Sequence, residues 1–158
     1  MAIIGIVAVD RKGAIGRGGA LPWHYSADMK FFKEQTTGNA CVMGYKTWLT
    51  LKKPLPNRLN IVLSRRTEVE PGEPVVWMRD RGSVIALNEY LKCDLYVIGG
   101  ARVFEEFGGE IERWVVTEIP LAVEDADTFM PPRFLEGFEQ YDSRRLDEEL
   151  VVKFLRRL

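Results

Sequence analysis

A series of short Val- and Ile-rich runs, set far enough apart for helices to fit between them, constrains this chain more than any other feature. IIGIVAV (residues 3–9), ACVM (40–43), LNIVLS (59–64), PVVWM (74–78), DLYVIGG (94–100) and RWVVTEI (113–119) are apolar with no strict alternation. Strands buried on both faces read this way, and they belong to parallel sheets covered by helices. The intervening segments supply those helices. They are residues 27–35, the short KTWLTL (46–51) ended by KKPLPNR, residues 83–91 with Val84, Leu87 and Leu91 at helical spacing, and ARVFEEF after a pair of glycines. A glycine-rich loop (Gly13, Gly16, Gly18, Gly19) follows the first strand, and RRTEVEPGE forms a second loop. The tail, FEQYDSRRL and LVVKFLRRL around DEE, reads as two long strands of a hairpin. This order predicts an α/β domain with a mostly parallel sheet and an antiparallel C-terminal edge.

With 158 residues, 46% of them hydrophobic, and neither repeats nor a linker, residues 1–158 are expected to form one domain. The formal net charge of -1 gives no global field toward nucleic acid or an anionic membrane, so neither is expected as a partner. No apolar run reaches membrane-spanning length, and MAIIGIVAVDRK lacks the form of a secretory leader, so a cytoplasmic protein is expected. Cys41 and Cys93 have no second Cys or His at ligand spacing; they are expected to be free thiols, with no metal site.

In an open α/β sheet, ligands gather beyond the carboxyl ends of the strands, and several capable groups fall there. Gly99-Gly100-Ala101-Arg102 carries a strand into a helix, where glycines let backbone approach a phosphate. Ser64-Arg65-Arg66 ends another strand with a hydroxyl and guanidinium groups suited to a phosphate monoester. In Gly44-Tyr45-Lys46-Thr47, Thr47 is placed to cap a helix and Lys46 to reach an anion. Arg58, behind the stiff KPLPN, is pre-positioned for a carboxylate. Each also has a plainer reading, as a tight turn, a solvated loop or a surface cation. His24, the only histidine, adjoins Trp23 in a loop and reads as a packed or surface residue.

LPWHYSADMKFFK (21–33) holds one carboxylate among apolar neighbours. If Ser26 caps the helix, Asp28 lies in its first turn, where the dipole favours an acid by typically ~0.3–1 kcal/mol. Phe31 and Phe32 follow on the same side, and a carboxylate buried beside them needs a cationic or hydrogen-bonding ligand. Local chemistry leaves both roles open.

The order of the segments adds what no single one supplies. IVAVDRKGAIGRGGALPW, SADMKFFKEQT, VMGYKTW, PLPNRLNIVLSR, VIGGARVFEEF, VTEI and DTFMPP, taken together, resemble the dihydrofolate reductase family over nearly the whole chain. The resemblance implies a mostly parallel eight-stranded sheet flanked by about four helices, and NADPH-dependent reduction of 7,8-dihydrofolate to 5,6,7,8-tetrahydrofolate in one-carbon metabolism. It implies a monomer. Asp28 matches the carboxylate that grips the pteridine ring, and Thr117 the threonine that supports it. Ile6, Val7, Met29, Phe32, Leu51, Leu55 and Ile98 match positions lining the folate pocket, and Arg58 the partner of the substrate's glutamate α-carboxylate. Ala8 and the stretch Ile15, Gly16, Gly19, Ala20 and Leu21 match the loop over the nicotinamide. Gly44, Lys46, Thr47, Gly99, Gly100, Ala101, Arg102, Val103 and Phe104 match the cofactor cleft, and Ser64 and Arg65 the 2′-phosphate site. Leu21 and Trp23 are expected to close over the reacting rings and exclude water. Hydride would pass to pterin C6 while water supplies the proton at N5.

Two positions depart from the family's pattern. Tyr45 stands where many members carry Arg or Lys, removing a cation that Lys46 and Arg102 are expected to replace. Phe104 places no hydroxyl near the nicotinamide. The rival enzyme is a pyrimidine reductase of riboflavin synthesis, on a similar fold and also using NADPH. It would not be expected to combine Asp28 with Arg58. A non-catalytic NADP-binding module is the other alternative, against which Asp28, Trp23, Thr117 and the glycine-rich loop stand together.

Overall fold

The computed structural model describes residues 1–18, 21–66, 74–147 and 149–158. In chain order the elements are β1 (Ile3–Val9), β2 (Ala14–Gly16), α1 (Ser26–Thr36), β3 (Ala40–Gly44), α2 (Tyr45–Thr50), β4 (Leu59–Leu63) and β5 (Val75–Met78). They continue as α3 (Arg81–Asn88), β6 (Leu95–Gly99), α4 (Ala101–Glu106), β7 (Arg113–Glu118), β8 (Thr128–Phe129), β9 (Phe138–Arg145) and β10 (Val151–Arg157). Eight strands form one sheet in the order β5-β4-β3-β6-β1-β7-β10-β9. Pairs from β5 to β7 are parallel, and β10 runs antiparallel to β7 and β9. The expected α/β class, antiparallel C-terminal edge and flanking helices are present.

The most continuously apolar runs take the centre. β1 and β6 lie side by side with their side chains buried on both faces. The chain leaves β1 for β3 on one side and leaves β6 for β7 on the other, so the strand order switches beside these two strands. A crevice beyond their carboxyl ends follows from that topology. One sheet face carries Ile4, Ile6, Cys41, Tyr96, Val115 and Val152 against Phe31 of α1. The opposite face carries the larger cluster, including Ile3, Val42, Val97, Phe104, Trp114 and Val116. Gly5 has a steric cause: a Cβ there would lie 2.8 Å from Cη2 of Trp114, so only glycine lets the indole cross β1.

Local punctuation differs from expectation in four places. The glycine-rich loop contains β2, paired with β8 as a separate two-stranded sheet. Ser26 does not cap α1; Tyr25 holds the N-cap position with no side-chain bond, and Ser26 is already helical. Likewise α2 begins at Tyr45 behind Gly44, so Thr47 lies inside the helix and caps nothing. The side-chain cap occurs on α3, where Asp80 accepts the Ser83 N–H at 2.7 Å and starts the helix two residues before the expected Ser83. Residues 67–73 of the RRTEVEPGE loop, and 148 in the terminal turn, lie outside the described residues.

No described helix is long and apolar enough to cross a membrane. Cys41 and Cys93 are free, and burial pushes the Cys41 thiol up to about 12, which leaves it a packing group.

Candidate active site

Phe31 fixes how α1 lies on the sheet. It is 2% exposed and meets Phe154 edge to face at 6.3 Å. Asp28, three residues earlier, is thereby brought to Thr117 of β7, which pairs in register with Ala8 of β1. Burial raises the Asp28 pKa above the ordinary carboxylate range, and the Thr117 hydroxyl, donating toward the carboxylate, offsets part of that rise. Among the described residues no cation contributes, and no helix N–H does either. Asp28 is therefore a half-buried carboxylate with one neutral partner, not the acceptor of a helix cap.

Arg58 is held from two sides. Its Nε donates to the Pro56 carbonyl at 2.9 Å, and Nη1 donates to the Thr36 hydroxyl at 3.1 Å. Its guanidinium carbon lies 5.9 Å from the Phe32 ring centroid, so α1 connects Asp28 to Arg58 through a single apolar side. The proline loop is tied by Asn60, buried within β4. Asn60 Oδ1 accepts the Leu55 N–H at 2.9 Å, while Nδ2 donates to the carbonyls of Leu55 at 2.9 Å and Arg58 at 3.0 Å. Leu55 and Ile98 pack against both the cluster that takes Phe32 and the one that takes Leu51, joining the two on this side of the sheet. Ile6 belongs to the same face. Val7 does not: its side chain packs in the opposite cluster, as strand alternation requires, so only its backbone can serve this cleft.

The expected cofactor residues converge at the ends of β3 and β6. A Cβ added to Gly99 or Gly100 would lie 3.8 Å from Oγ1 of Thr47, and one added to Gly44 would press on Val103 at 3.0 Å. Phe104 closes the floor, 3.6 Å from that Gly99 position, and the Gly99–Gly100 peptide is cis. Side chains at these glycines would fill the cradle, so the chain's own composition fits a nucleotide laid across it. Ala101 starts α4, and Arg102 and Lys46 are exposed at its rim. Ser64 follows β4 directly, its N–H donating to the Met78 carbonyl at 2.9 Å, and Arg65 is exposed beside it.

The loop after β1 is pinned at both ends. Asp10 accepts the N–H groups of Lys12, Ala14 and Val123, each at 2.8 Å. Burial would raise its pKa, but these three donors outweigh burial and hold it low. Farther on, Asp127 accepts the Gly18 N–H at 2.8 Å, and its own N–H donates to the Gly16 carbonyl. Ile15 packs into the core beneath, while Gly19 and Ala20 lie outside the described residues. Leu21 is 61% exposed and Met29 56%. Trp23 is half-buried with its indole N–H unpartnered among the described residues, and His24 is exposed.

Asn60, Thr36, Asp10 and Asp127 were not expected at the site. A lone Asn inside an apolar strand was the available signal for Asn60, since a buried amide must have partners. The other three each make one contact far away in sequence, Asp10 with Val123, Thr36 with Arg58 and Asp127 with Gly18.

Comparison with known proteins agrees with this fold. The family model described as dihydrofolate reductase matches residues 2–155. The dihydrofolate reductase of Haemophilus influenzae is 35% identical over 147 residues, covering 91% of this chain and 89% of that protein. The Saccharomyces cerevisiae dihydrofolate reductase is 33% identical, covering 96% and 83%. Dihydrofolate reductase from Enterococcus faecalis, solved in complex with NADP(H) and RAB-propyl, superposes with a TM-score of 0.90 at 31% identity, covering 99% of this chain and 96% of that one. These matches define an NADPH-dependent oxidoreductase. Within that class, the chain belongs to the dihydrofolate reductase family.

Proposed function

We propose that the protein reduces 7,8-dihydrofolate to 5,6,7,8-tetrahydrofolate with NADPH, residues 1–158 acting as one monomeric cytoplasmic domain in one-carbon metabolism, supporting thymidylate and purine synthesis. The observation that carries this is Asp28: a half-buried carboxylate on an apolar face, met by Thr117 and by no protein cation among the described residues. Such a group calls for a ligand with adjacent N–H donors, and the amino group and neighbouring ring nitrogen of a pterin are such donors. Ile6, Met29, Phe32, Leu51, Leu55 and Ile98 take the rings and the aminobenzoyl arm, with Val7 contributing backbone. Arg58, its guanidinium oriented by Pro56 and Thr36, takes the glutamate α-carboxylate.

The glycine cradle of Gly44, Gly99 and Gly100, with Thr47, Ala101, Val103 and Phe104, holds NADPH, and Lys46, Arg102, Ser64 and Arg65 meet its phosphates. Bound there, NADPH supplies the hydride that reduces pterin C6. Ala8 and the loop from Ile15 to Leu21, carried on the Asp10 and Asp127 contacts, cover the reacting rings. Leu21 and Trp23 exclude water from the transfer. The proton for N5 comes from a water molecule, because Asp28 is engaged at the far side of the ring and His24 is exposed in a loop. Asp28 polarises the pterin without donating to N5. The balance is one hydride to C6 and one proton to N5.

The test is NADPH oxidation by purified protein with dihydrofolate, followed by loss of NADPH absorbance and recovery of tetrahydrofolate. Tight NADPH binding with no turnover would overturn the assignment.

A further inference from the structure

We propose that Arg66, stacked on Tyr45, is the cation that selects the 2′-phosphate of NADPH, with Tyr45 as its positioning residue. The inference rests on the proposed use of NADPH and names a specificity determinant within that site.

Arg66 follows the Ser64-Arg65 pair at the end of β4 and turns toward α2. Its guanidinium carbon lies 4.5 Å from the Tyr45 ring centroid. Tyr45 is the first residue of α2 and is half-buried. Its ring leans on Trp77 of β5 at 6.2 Å, and Trp77 is held edge-on by Trp48 at 6.2 Å. Three aromatic rings thus back the guanidinium. Its backbone is fixed as well, since the Arg66 N–H donates to Ser64 Oγ at 3.2 Å. That bond uses a lone pair of the serine and leaves its O–H free to donate outward.

The geometry suits a phosphate because stacking uses the π face of a guanidinium and leaves its N–H edge open. An arginine so placed can offer a fork of donors to a dianion without first losing rotamer freedom. Arg65 is placed differently: with Arg79 it lies in the field of Asp80, whose charge it shares. Position 45 itself supplies no charge. Its ring instead decides where the charge of residue 66 is held, between the β4 end and the Lys46 side of α2.

The test is the dissociation constant for NADPH and for NADH, by fluorescence titration of the full chain and its variants. Arg66→Gln should weaken NADPH about tenfold, as expected for loss of a charge-assisted phosphate contact, and change NADH by less than about twofold. Tyr45→Ala should weaken NADPH by roughly two- to fivefold, the span of an exposed cation–π contact, while Tyr45→Phe retains wild-type affinity. The double variant should bind NADPH no worse than Arg66→Gln alone. Equal losses for NADPH and NADH in Arg66→Gln, or additive losses in the double variant, would overturn the proposal. Tyr45→Phe behaving like Tyr45→Ala would overturn the platform. A wild-type protein that turns over dihydrofolate and prefers NADPH, yet is insensitive to Arg66→Gln, rejects this inference and keeps the proposed function. A wild type without turnover rejects that function first.

Discussion

Asn60→Ala isolates the support beneath Arg58. The side chain makes three bonds, at 2.9, 2.9 and 3.0 Å, to the Leu55 N–H, the Leu55 carbonyl and the Arg58 carbonyl. At ~0.5–1.5 kcal/mol net for each bond, their loss totals about 1.5–4.5 kcal/mol. Leu55 and Arg58 are only half-buried, so water can reach the freed groups and the lower half applies, about 1.5–3 kcal/mol. For a domain of this length that lowers Tm by roughly 3–12 °C. Urea unfolding should register the loss as a lower midpoint at unchanged slope. Below the transition, KM for dihydrofolate should rise because the Leu55 backbone and the Arg58 carbonyl are no longer tied, while KM for NADPH stays near wild type. Asn60→Asp should be worse than Ala at neutral pH, since it sets a carboxylate oxygen against two carbonyls inside a strand. A stability loss under about 0.5 kcal/mol, or equal changes in both KM values, would refute the account.

Three further perturbations test other parts of the site. A carboxyl whose folded-state pKa is raised binds more protons folded than unfolded, so Asp28 costs no stability below the ordinary value of 3.8 and costs it increasingly as pH rises toward its raised value. Asp28→Asn should therefore stabilise the ligand-free protein at neutral pH, with the advantage fading as pH falls toward 3.8 and absent below it, while turnover falls severely; superimposable stability–pH curves for the two proteins would contradict this. Arg58→Leu should raise KM for dihydrofolate far more than for NADPH, and steady-state kinetics with each substrate varied would reveal an equal effect if its role were wrong. Asp127→Ala releases the Gly18 N–H and should lower kcat while thermal melting barely shifts, because the contact is exposed and lies outside the core. A large drop in Tm with kcat intact would mean that Asp127 serves the fold instead.

The sheet was legible because its strands are buried on both faces, and such burial admits few residues other than Val, Ile and their kind. The helix ends were less so. Ser26 and Thr47 have the right chemistry for caps, yet the packing of Phe31 and of Trp48 sets where each helix starts, and both hydroxyl residues end up inside. Asp80, which does cap, sits in a polar stretch that carried no apolar signal. The pins Asp10 and Asp127 bond groups 113 and 109 residues away, and no local pattern encodes such a pairing. Thr117 looks in sequence like any polar residue near a strand end, and only the match of whole blocks to a family singled it out. Arg66 stands in sequence beside Ser64 and Arg65 as a phosphate candidate with a solvated loop as its plainer reading, and its stack on Tyr45 exists only in three dimensions.

What the site residues share is poor local stability. Asp28 is desolvated with one hydroxyl for company, the Trp23 indole N–H has no partner among the described residues, and Met29 beside Asp28 leaves most of its apolar surface in water. Elsewhere buried polar groups such as Asn60 and Asp10 are well provided with partners. Among the described residues, unpartnered buried atoms also occur in the core, at Trp114 Nε1 and Asn88 Oδ1, so it is the desolvated carboxylate beside exposed apolar surface that marks a surface completed by something other than the chain. A flat ring with N–H donors on one edge would satisfy the carboxylate and cover the apolar side chains in the same event. Each deficit of the free protein then becomes differential binding energy for that ligand, and saturating dihydrofolate analogue should raise Tm more in the wild type than in Asp28→Asn.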